Sequence, residues 1–287
     1  MLESVIMNHG RSLKKTSNKS YVAKCLPMLK WAGGKRKLVK HIIPIMNQYK
    51  FNRYFEPFFG GGALFFATQP EHSVLSDTNE ELINCYTFVR DHPELVIKQL
   101  KTMKNTEEDY YRIRSEQPTD DLVRAARVIY LTTLSFNGIY RLNLRGEFNV
   151  PYGHKVHLNP CDESRIMAVS NALRNAQILC SDFEVVVENA EQGDLIYFDP
   201  PYTIIHGNGF VKYNSNVFTW EDQIRLADTA RRLVQRGCHV IISNADAPEI
   251  IELYSDFNFV RLERPSVIAA SGEHRKKITE SIFYSEV

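Results

Sequence analysis

Hydrophobic positions along the chain alternate between short apolar runs and longer segments with helical spacing. The runs predict buried strands, because they are too short for helices and are bounded by turn residues. They cover residues 53–58, 73–76, 176–181, 195–198, 239–243 and 281–284. Helical spacing begins near residues 35, 80, 93, 121 and 220. Strands that alternate with helices predict an α/β fold with a mostly parallel sheet.

Two segments depart from this alternation. Residues 80–135 are predicted to form successive helices, at 80–90, 93–104 and 121–134, which interrupt the strand–helix order as an inserted domain would. Residues 1–26 are polar and rich in Lys, Ser and Asn, which predicts a flexible arm. The helix over 220–236 has its own predicted buried face, formed by Ile224, Ala227, Ala230, Leu233 and Val234.

Composition excludes several classes of protein. The chain has 287 residues, of which 44% are hydrophobic and 24% charged, an ordinary globular balance. No apolar run approaches the roughly 18 residues of a membrane span, and the first residues lack a signal-peptide pattern. The five cysteines are scattered without a C-x-x-C pair, so we expect neither disulfides nor a metal site, and a reducing cytoplasm fits. The His154-x-x-His157 spacing is a weak metal signal.

Charge is unevenly distributed, although the net charge is only +1. Residues 71–121 contain twelve acids and six bases, so the rest of the chain carries the positive excess. Basic clusters lie at residues 30–40, 141–155 and 261–277. Separate basic segments are typical of a phosphate-binding surface, and solvated basic faces are the alternative interpretation.

The strand at 195–198 ends in Asp199-Pro200-Pro201-Tyr202, which is the first candidate for chemistry. Prolines cannot continue a strand ladder, so Asp199 lies at a carboxyl strand end, where open α/β sheets hold ligands. Asp199 and the Pro200 carbonyl can together accept two hydrogen bonds from one amino group. Tyr202 offers a flat face to a planar ring. The alternative is a plain tight turn with a core tyrosine.

A glycine-rich turn and a strand-end acid form the second candidate. Glu56 ends one predicted strand, and residues 59–62 supply three glycines before a helix, without the G-x-G-x-x-G spacing of dinucleotide sites. Asp77 ends the next strand, about 20 residues later, which suits contact with ribose hydroxyls. Asp77 can equally cap the helix that follows. Lys35 follows Gly33-Gly34 and is predicted to open a helix.

Four motifs in this order resemble the Dam-type DNA adenine methyltransferases. They are K-W-A-G-G-K at 30–35, F-E-P-F-F-G-G-G-A at 55–63, Asp77, and D-P-P-Y at 199–202. The resemblance implies S-adenosylmethionine as cofactor. The implied cofactor contacts are Trp31, Lys35, Glu56, Phe58, Gly60, Asp77, Asp182, Phe183 and Asp199. For Asp182 and Phe183, a helix cap and a core phenylalanine remain an equal alternative.

Residues 135–153 resemble the target-recognition hairpin of the same family. Asn137-Gly138 is a turn signal, and Arg145-Gly146 is the predicted hairpin tip. Arginine reads guanine by a bidentate contact, and a two-stranded ribbon fits the major groove. The implied DNA contacts are Lys30 and Arg141 to guanines, Ile139 and Pro151 to a thymine methyl, and the amides Asn137 and Asn143. A surface ribbon packed on the helical block is the alternative.

The resemblance implies a Rossmann-like class I methyltransferase sheet with an inserted helical target-recognition domain that bears a β-hairpin. Residues 27–80 and 174–287 would form the catalytic domain, and 81–173 the DNA-binding domain. The implied reaction methylates the N6 amine of adenine in double-stranded DNA, with G-A-T-C as preferred site and the base flipped. Asp199, Pro200 and Tyr202 would act in catalysis. A loop at 203–219 would close over the base, and a basic loop at 271–277 would meet phosphates.

Other functions remain open on the sequence alone. The same chemistry can act on a different DNA site or on RNA, and an inactive DNA-binding or cofactor-sensing module is a further alternative. A nicotinamide oxidoreductase is disfavoured by the absence of G-x-G-x-x-G. The residues 154–157 depart from the family pattern and leave the outer DNA contacts in doubt. A role in mismatch repair, in a phage or beside a cognate restriction endonuclease stays open, and no stable complex with an endonuclease is expected.

Overall fold

A computed structural model describes the protein at Ile6–Met7 and over residues 25–143, 145–202, 218–265 and 277–286. In chain order the elements are β1 (Ile6–Met7), α1 (Val39–Met46), β2 (Tyr54–Glu56), α2 (Ala63–Thr68), β3 (Ser73–Asp77), α3 (Glu80–Asp91), α4 (Pro93–Lys101), α5 (Glu107–Ser115), α6 (Asp121–Leu134), a 3-10 turn (Phe136–Gly138), α7 (Glu163–Leu173), β4 (Gln177–Cys180), α8 (Phe183–Val186), β5 (Leu195–Phe198), α9 (Trp220–Gln235), β6 (His239–Ala245), α10 (Pro248–Leu253), β7 (Asn258–Pro265) and β8 (Lys277–Tyr284). From α1 to β7, strands and helices alternate as predicted, except across α3–α7.

The chain divides into two compact units. The first unit contains residues 1–20, 41–57 and 187–287, and the second contains residues 21–40 and 58–186. These bounds differ from those of the predicted domains, which followed the motifs. Compact packing does not test a division by function, so the catalytic and target-recognition domains stay predictions.

The first unit is built on strands in the order β1-β7-β8-β6-β5-β2. β5 pairs in parallel with β2 and β6, whereas β8 pairs antiparallel with β6 and β7. Every residue of β5 is buried, as expected for a parallel strand covered on both faces. The parallel β5–α9–β6 crossover and the antiparallel strands beside it confirm the predicted Rossmann-like α/β class.

The second unit combines the parallel pair β3–β4 with a group of packed helices. α3 packs against α6 and α7, and α4 packs against α6. The helices predicted at 80–90, 93–104 and 121–134 are confirmed as α3, α4 and α6. Their ends follow local signals, because Asn79, Thr106 and Asp120 cap α3, α5 and α6 with side-chain oxygens.

Helix α9 begins as predicted, and its buried face agrees with the prediction at three of five positions, Ala227, Ala230 and Leu233. Thr219 and Asp222 form a reciprocal capping box that fixes the start of the helix. Ile224 and Val234 were predicted to face inward, and they are 41% and 37% exposed. Gln223 is fully buried instead. The prediction was wrong for Ile224 and Val234 alone, because Gln223 takes part in the buried face through hydrogen bonds that are described below.

Three predictions fall largely on residues outside the described ranges. They concern the arm at 1–26, where the described residues are 6–7 and 25–26, the loop at 203–219, and the basic segment at 271–277. Within the arm, Ile6 and Met7 form β1, which pairs antiparallel with Val260 and Arg261 of β7.

Candidate functional site

The D-P-P-Y turn follows directly on β5 in the first unit. Asp199 is half-buried, and Ser243 Oγ of β6 donates a hydrogen bond to Asp199 Oδ1 at 2.7 Å. The Tyr197 hydroxyl lies 3.0 Å from Ser243 Oγ. A serine hydroxyl has a single proton, which is given to Asp199, so Tyr197 donates to Ser243. Asp199 therefore ends a short chain of directed hydrogen bonds.

The next proline of the turn is held by a second pair of polar groups. Gln223 Nε2 donates to the Pro201 carbonyl at 3.3 Å, and Asn244 Nδ2 donates to Gln223 Oε1 at 2.9 Å. Gln223 and Asn244 are both fully buried. Buried amides are costly unless they are hydrogen-bonded, so these bonds explain why the two side chains occupy the core.

Glu56 is placed at the end of β2, where it was predicted, and is almost fully buried. The Tyr54 hydroxyl donates to Glu56 Oε2 at 2.7 Å. Burial raises the pKa of Tyr54 well above its usual value, and the negative charge of Glu56 raises it further. Burial followed by the charge of Asp199 does the same to the pKa of Tyr197. Both phenols therefore stay protonated and can act as donors.

In the second unit, Asp77 connects the glycine-rich turn to the end of β3. The Gly60 N–H donates to Asp77 Oδ2 at 2.9 Å, and the Asn79 N–H donates to Oδ1 at 3.0 Å. Burial raises the pKa of the Asp77 carboxyl, and these N–H groups oppose the rise. Asn79, whose Oδ1 accepts from Leu82 N, caps α3, so the interpretation of Asp77 as the cap is wrong.

Trp31 lies against the same turn. A Cβ added to Gly60 would lie 3.0 Å from Trp31 Cδ1, so only glycine lets the indole approach this closely. Gly60 has φ +47°, which also favours glycine. Trp31 also stacks on Tyr140, with ring centroids 4.7 Å apart and an interplanar angle of 24°. The structure thus brings the predicted cofactor residues Trp31, Gly60 and Asp77 together.

Lys35 was predicted to begin a helix, and this prediction is wrong. α1 begins at Val39, and the Lys35 carbonyl accepts from Leu38 and Val39 in a preceding turn. The Lys35 side chain is buried and its Nζ donates back to the Gly33 carbonyl at 2.8 Å. The turn at Lys35 lies between Gly33-Gly34 and the first residue of α1. The glycine pair is therefore not directly followed by a helix N-terminus.

Asp182 and Phe183 lie at the start of α8. Asp182 Oδ1 accepts from Glu184 N at 3.0 Å, and Phe183 is buried. Phe183 stacks on Phe58 with centroids 5.3 Å apart. A local capping bond and a core ring are thus both present, and a contact of these residues with the cofactor stays a prediction.

Residues 135–153 form an irregular hairpin, in which Leu144 is not described. Two isolated antiparallel bridges, Ser135–Tyr152 and Leu142–Phe148, replace the continuous ribbon that was predicted. The tip is at Arg145-Gly146 as predicted. Asn143 Oδ1 accepts from the Arg145 and Glu147 N–H groups, and such local bonds compete with a strand ladder.

The predicted DNA contacts differ in exposure. Lys30, Asn137, Ile139 and Pro151 are exposed, while Arg141 and Asn143 are half-buried. Within the hairpin, Arg141 Nε donates to Asn149 Oδ1 at 2.8 Å and Asn143 Nδ2 donates to Glu147 Oε2 at 2.8 Å.

The hairpin also has fixed contacts at its start and base. A Cβ on Gly138 would lie 2.6 Å from Lys30 Cδ, so Lys30 packs directly on the Asn137-Gly138 turn. Lys155 Nζ donates to the carbonyls of Thr133 and Ser135. Residues 154–157, which differ from the family pattern, therefore have a structural role at the end of α6.

Four functional candidates were not anticipated from the sequence: Ser243, Gln223, Asn244 and Tyr140. The sequence does contain a signal for Ser243 and Asn244, because these two polar residues directly follow the apolar run of β6. Gln223 and Tyr140 carried none, since their partners lie far away in the sequence.

The described ranges contain neither a membrane-spanning helix nor a cluster of metal ligands. No helix there is long and apolar enough to cross a membrane. Among the same residues, no group of three or more His, Cys, Asp and Glu side chains is arranged to hold a metal ion.

Comparison with known proteins identifies the family. A model described as D12 class N6 adenine-specific DNA methyltransferase matches residues 31–268, and the chain belongs to this family. A type II methyltransferase of Lactococcus lactis subsp. cremoris is 41% identical over 267 residues, which cover 89% of this chain and 94% of the relative. A type II methyltransferase of Methanocaldococcus jannaschii is 34% identical, with 87% and 95% covered. A DNA adenine methylase of Haemophilus influenzae is 35% identical, with 89% and 92% covered.

Proposed function

We propose that the protein transfers the methyl group of S-adenosylmethionine to N6 of adenine in double-stranded DNA, at G-A-T-C sites and on a flipped base. The observation that carries the proposal is the D-P-P-Y turn, in which a carboxylate held by Ser243 follows a buried parallel strand. Open α/β sheets hold ligands at this end of their strands. This activity would serve mismatch repair, a phage or a system with a cognate restriction endonuclease, and no stable complex with such an endonuclease is proposed.

Asp199 and the Pro200 carbonyl accept hydrogen bonds from the adenine amine. The lone pair of that amine is delocalised into the ring, so the nitrogen is a poor nucleophile. Two acceptors favour a more tetrahedral nitrogen as the new carbon–nitrogen bond forms. A hydrogen bond to a charged group contributes about 1.5–3 kcal/mol, or roughly ten- to a hundredfold in rate. Positioning of the amine supplies more.

Tyr202 stacks on the flipped base. A base inside a duplex is out of reach of Asp199, and extrusion costs a few kcal/mol. Stacking on an aromatic side chain returns about 1–3 kcal/mol of that cost. The half-buried position of Tyr202, two residues after Pro200, suits this role.

The second unit offers groups that suit S-adenosylmethionine. Asp77 is a strand-end acid fixed by two backbone N–H groups, and its carboxylate suits ribose hydroxyls. Trp31 adds an aromatic surface beside the glycine-rich turn. When bound, this cofactor supplies an electrophilic methyl group. The other cofactor contacts proposed in this unit are Lys35, Phe58, Gly60, Asp182 and Phe183, and those proposed in the first unit are Glu56 and Asp199.

The irregular hairpin reads the DNA site. Arg141 contacts a guanine by its guanidinium, whose orientation the Asn149 side chain supports. Lys30, packed on the Asn137-Gly138 turn, contacts another guanine. The remaining proposed contacts are the apolar Ile139 and Pro151 to a thymine methyl, and the amides Asn137 and Asn143.

The Asp199→Ala variant tests the catalytic assignment. We expect kcat to fall by at least about a hundredfold, because the charged acceptor is lost. Binding of a G-A-T-C duplex, measured by calorimetry, should stay within about threefold of the wild type. Methylation by Asp199→Ala at the wild-type rate would overturn this mechanism.

A further inference from the structure

Ser243 is a fully buried serine of β6 that the reaction described above does not itself require. Its hydroxyl is 2.7 Å from Asp199 Oδ1, a short bond of the kind formed with charged acceptors. β6 pairs in parallel with β5, and the register places Ile242 opposite Phe198. The residues after these partners, Ser243 and Asp199, therefore face each other where β5 ends and β6 continues.

A lone aspartate side chain at a strand end is a poorly oriented acceptor. The terminal torsion of Asp is broad and roughly two-fold, so the carboxylate plane can rotate at little cost. One strong hydrogen bond to Oδ1 removes that freedom. Tyr197, fully protonated in its buried position, donates to Ser243 and so fixes the direction of the serine proton.

We propose that Ser243 is a positioning residue for methyl transfer, which holds the Asp199 carboxylate in the rotation that accepts the substrate amine. This inference rests on the proposed function of Asp199. Ser243 touches neither substrate nor cofactor in this account and acts through Asp199 alone.

The neighbouring residue of β6 supports the same turn from the other face. The side chains of successive strand residues point to opposite faces of the sheet, so those of the neighbours Ser243 and Asn244 point in opposite directions. Asn244 holds Gln223, and Gln223 donates to the Pro201 carbonyl. Asp199 and Pro201 lie on either side of Pro200, whose carbonyl is the second proposed acceptor. Both acceptors are thus set by two adjacent residues of one strand.

The test compares Ser243→Ala with Ser281→Ala. Ser281 lies on β8, is fully buried like Ser243, and its Oγ donates to Asp246 Oδ1 at 3.0 Å. Both variants therefore delete one buried serine–aspartate hydrogen bond. We expect kcat to fall about ten- to a hundredfold in Ser243→Ala and to change less than about twofold in Ser281→Ala. The KM for DNA and the Kd for cofactor should stay unchanged in both.

Two further variants separate positioning from general destabilisation. Ser243→Thr keeps the hydroxyl and should retain most of the wild-type kcat. Tyr197→Phe removes the donor to Ser243 and should lower kcat about two- to tenfold, so it remains informative if Ser243→Ala does not fold. Thermal unfolding of each variant shows which of them are folded at the assay temperature.

The outcomes distinguish this inference from the proposed function. Equal kcat in Ser243→Ala and the wild type, with Asp199→Ala inactive, would overturn the role of Ser243 alone. A loss confined to KM or to thermal stability would also overturn it. Full activity of Asp199→Ala would instead overturn the proposed function, whatever Ser243→Ala does.

Discussion

Asp77 and Asp199 show, within their separate units, how a strand-end carboxylate is oriented by its donors. Asp77 accepts from two backbone N–H groups, one on each oxygen, and these bonds act against the rise in pKa that burial causes. Asp199 accepts from a serine hydroxyl. Fixed donors of this kind remove rotational freedom before a ligand arrives, which reduces the cost of binding.

Gly60→Ala is predicted to weaken cofactor binding. The new Cβ would lie 3.0 Å from Trp31 Cδ1, so the indole must move away from the glycine-rich turn. An aromatic contact is worth about 0.5–1.5 kcal/mol, and we therefore expect the Kd for S-adenosylmethionine to rise about two- to twelvefold. Isothermal titration calorimetry without DNA measures this directly.

Gly146→Ala is the matched control for that variant. Gly146 also has positive φ, +76°, but a Cβ there would meet no heavy atom within 4 Å. Both variants carry backbone strain of roughly 1–2 kcal/mol, and only Gly60→Ala displaces Trp31. Equal losses of cofactor affinity in the two variants would rule out the Trp31 contact as the cause.

At the scale of elements, the irregular hairpin is docked on the segment that contains Trp31. Tyr140 stacks on Trp31, and Gly138 packs on Lys30. Tyr140 also meets Phe148 edge-on across the hairpin, with centroids 5.5 Å apart. These contacts hold the hairpin although its ladder consists of two isolated bridges in the described residues.

Arg141→Ala is predicted to relax sequence discrimination without loss of cofactor binding. A bidentate arginine–guanine contact is worth about 1–3 kcal/mol, so the preference for the cognate guanine should fall roughly five- to a hundredfold. Rates on G-A-T-C and on duplexes with one substituted guanine give this ratio. Arg145→Ala, at the exposed tip, should keep the ratio. An unchanged site preference in Arg141→Ala would refute the assignment.

The elements that the sequence predicted well are those with local signals. α3, α6 and α9 begin after side-chain caps, and β5 is a four-residue apolar run bounded by proline. The burial of Gln223 on α9 was not predictable in this way, because it depends on hydrogen bonds to Pro201 and Asn244. Such partners are brought together only by the folded chain.

For the whole molecule, the order of motifs predicted the α/β class and the family, and both are confirmed. The division into units was not predictable, because residues 41–57 pack with 187–287, which follow them by more than a hundred positions. β1 was missed for the same reason, since a two-residue strand in a polar arm depends on its partner β7.

The central claim, methyl transfer to adenine in G-A-T-C, is tested most directly with S-adenosylmethionine labelled in its methyl group. Two duplexes are compared, one with a single G-A-T-C site and one in which the adenines of that site are replaced. The account predicts label on the first duplex only. Label on both duplexes would be consistent with methyltransferase activity and would contradict the assignment of G-A-T-C as the site. Label on neither, with cofactor binding confirmed, would contradict the proposed reaction.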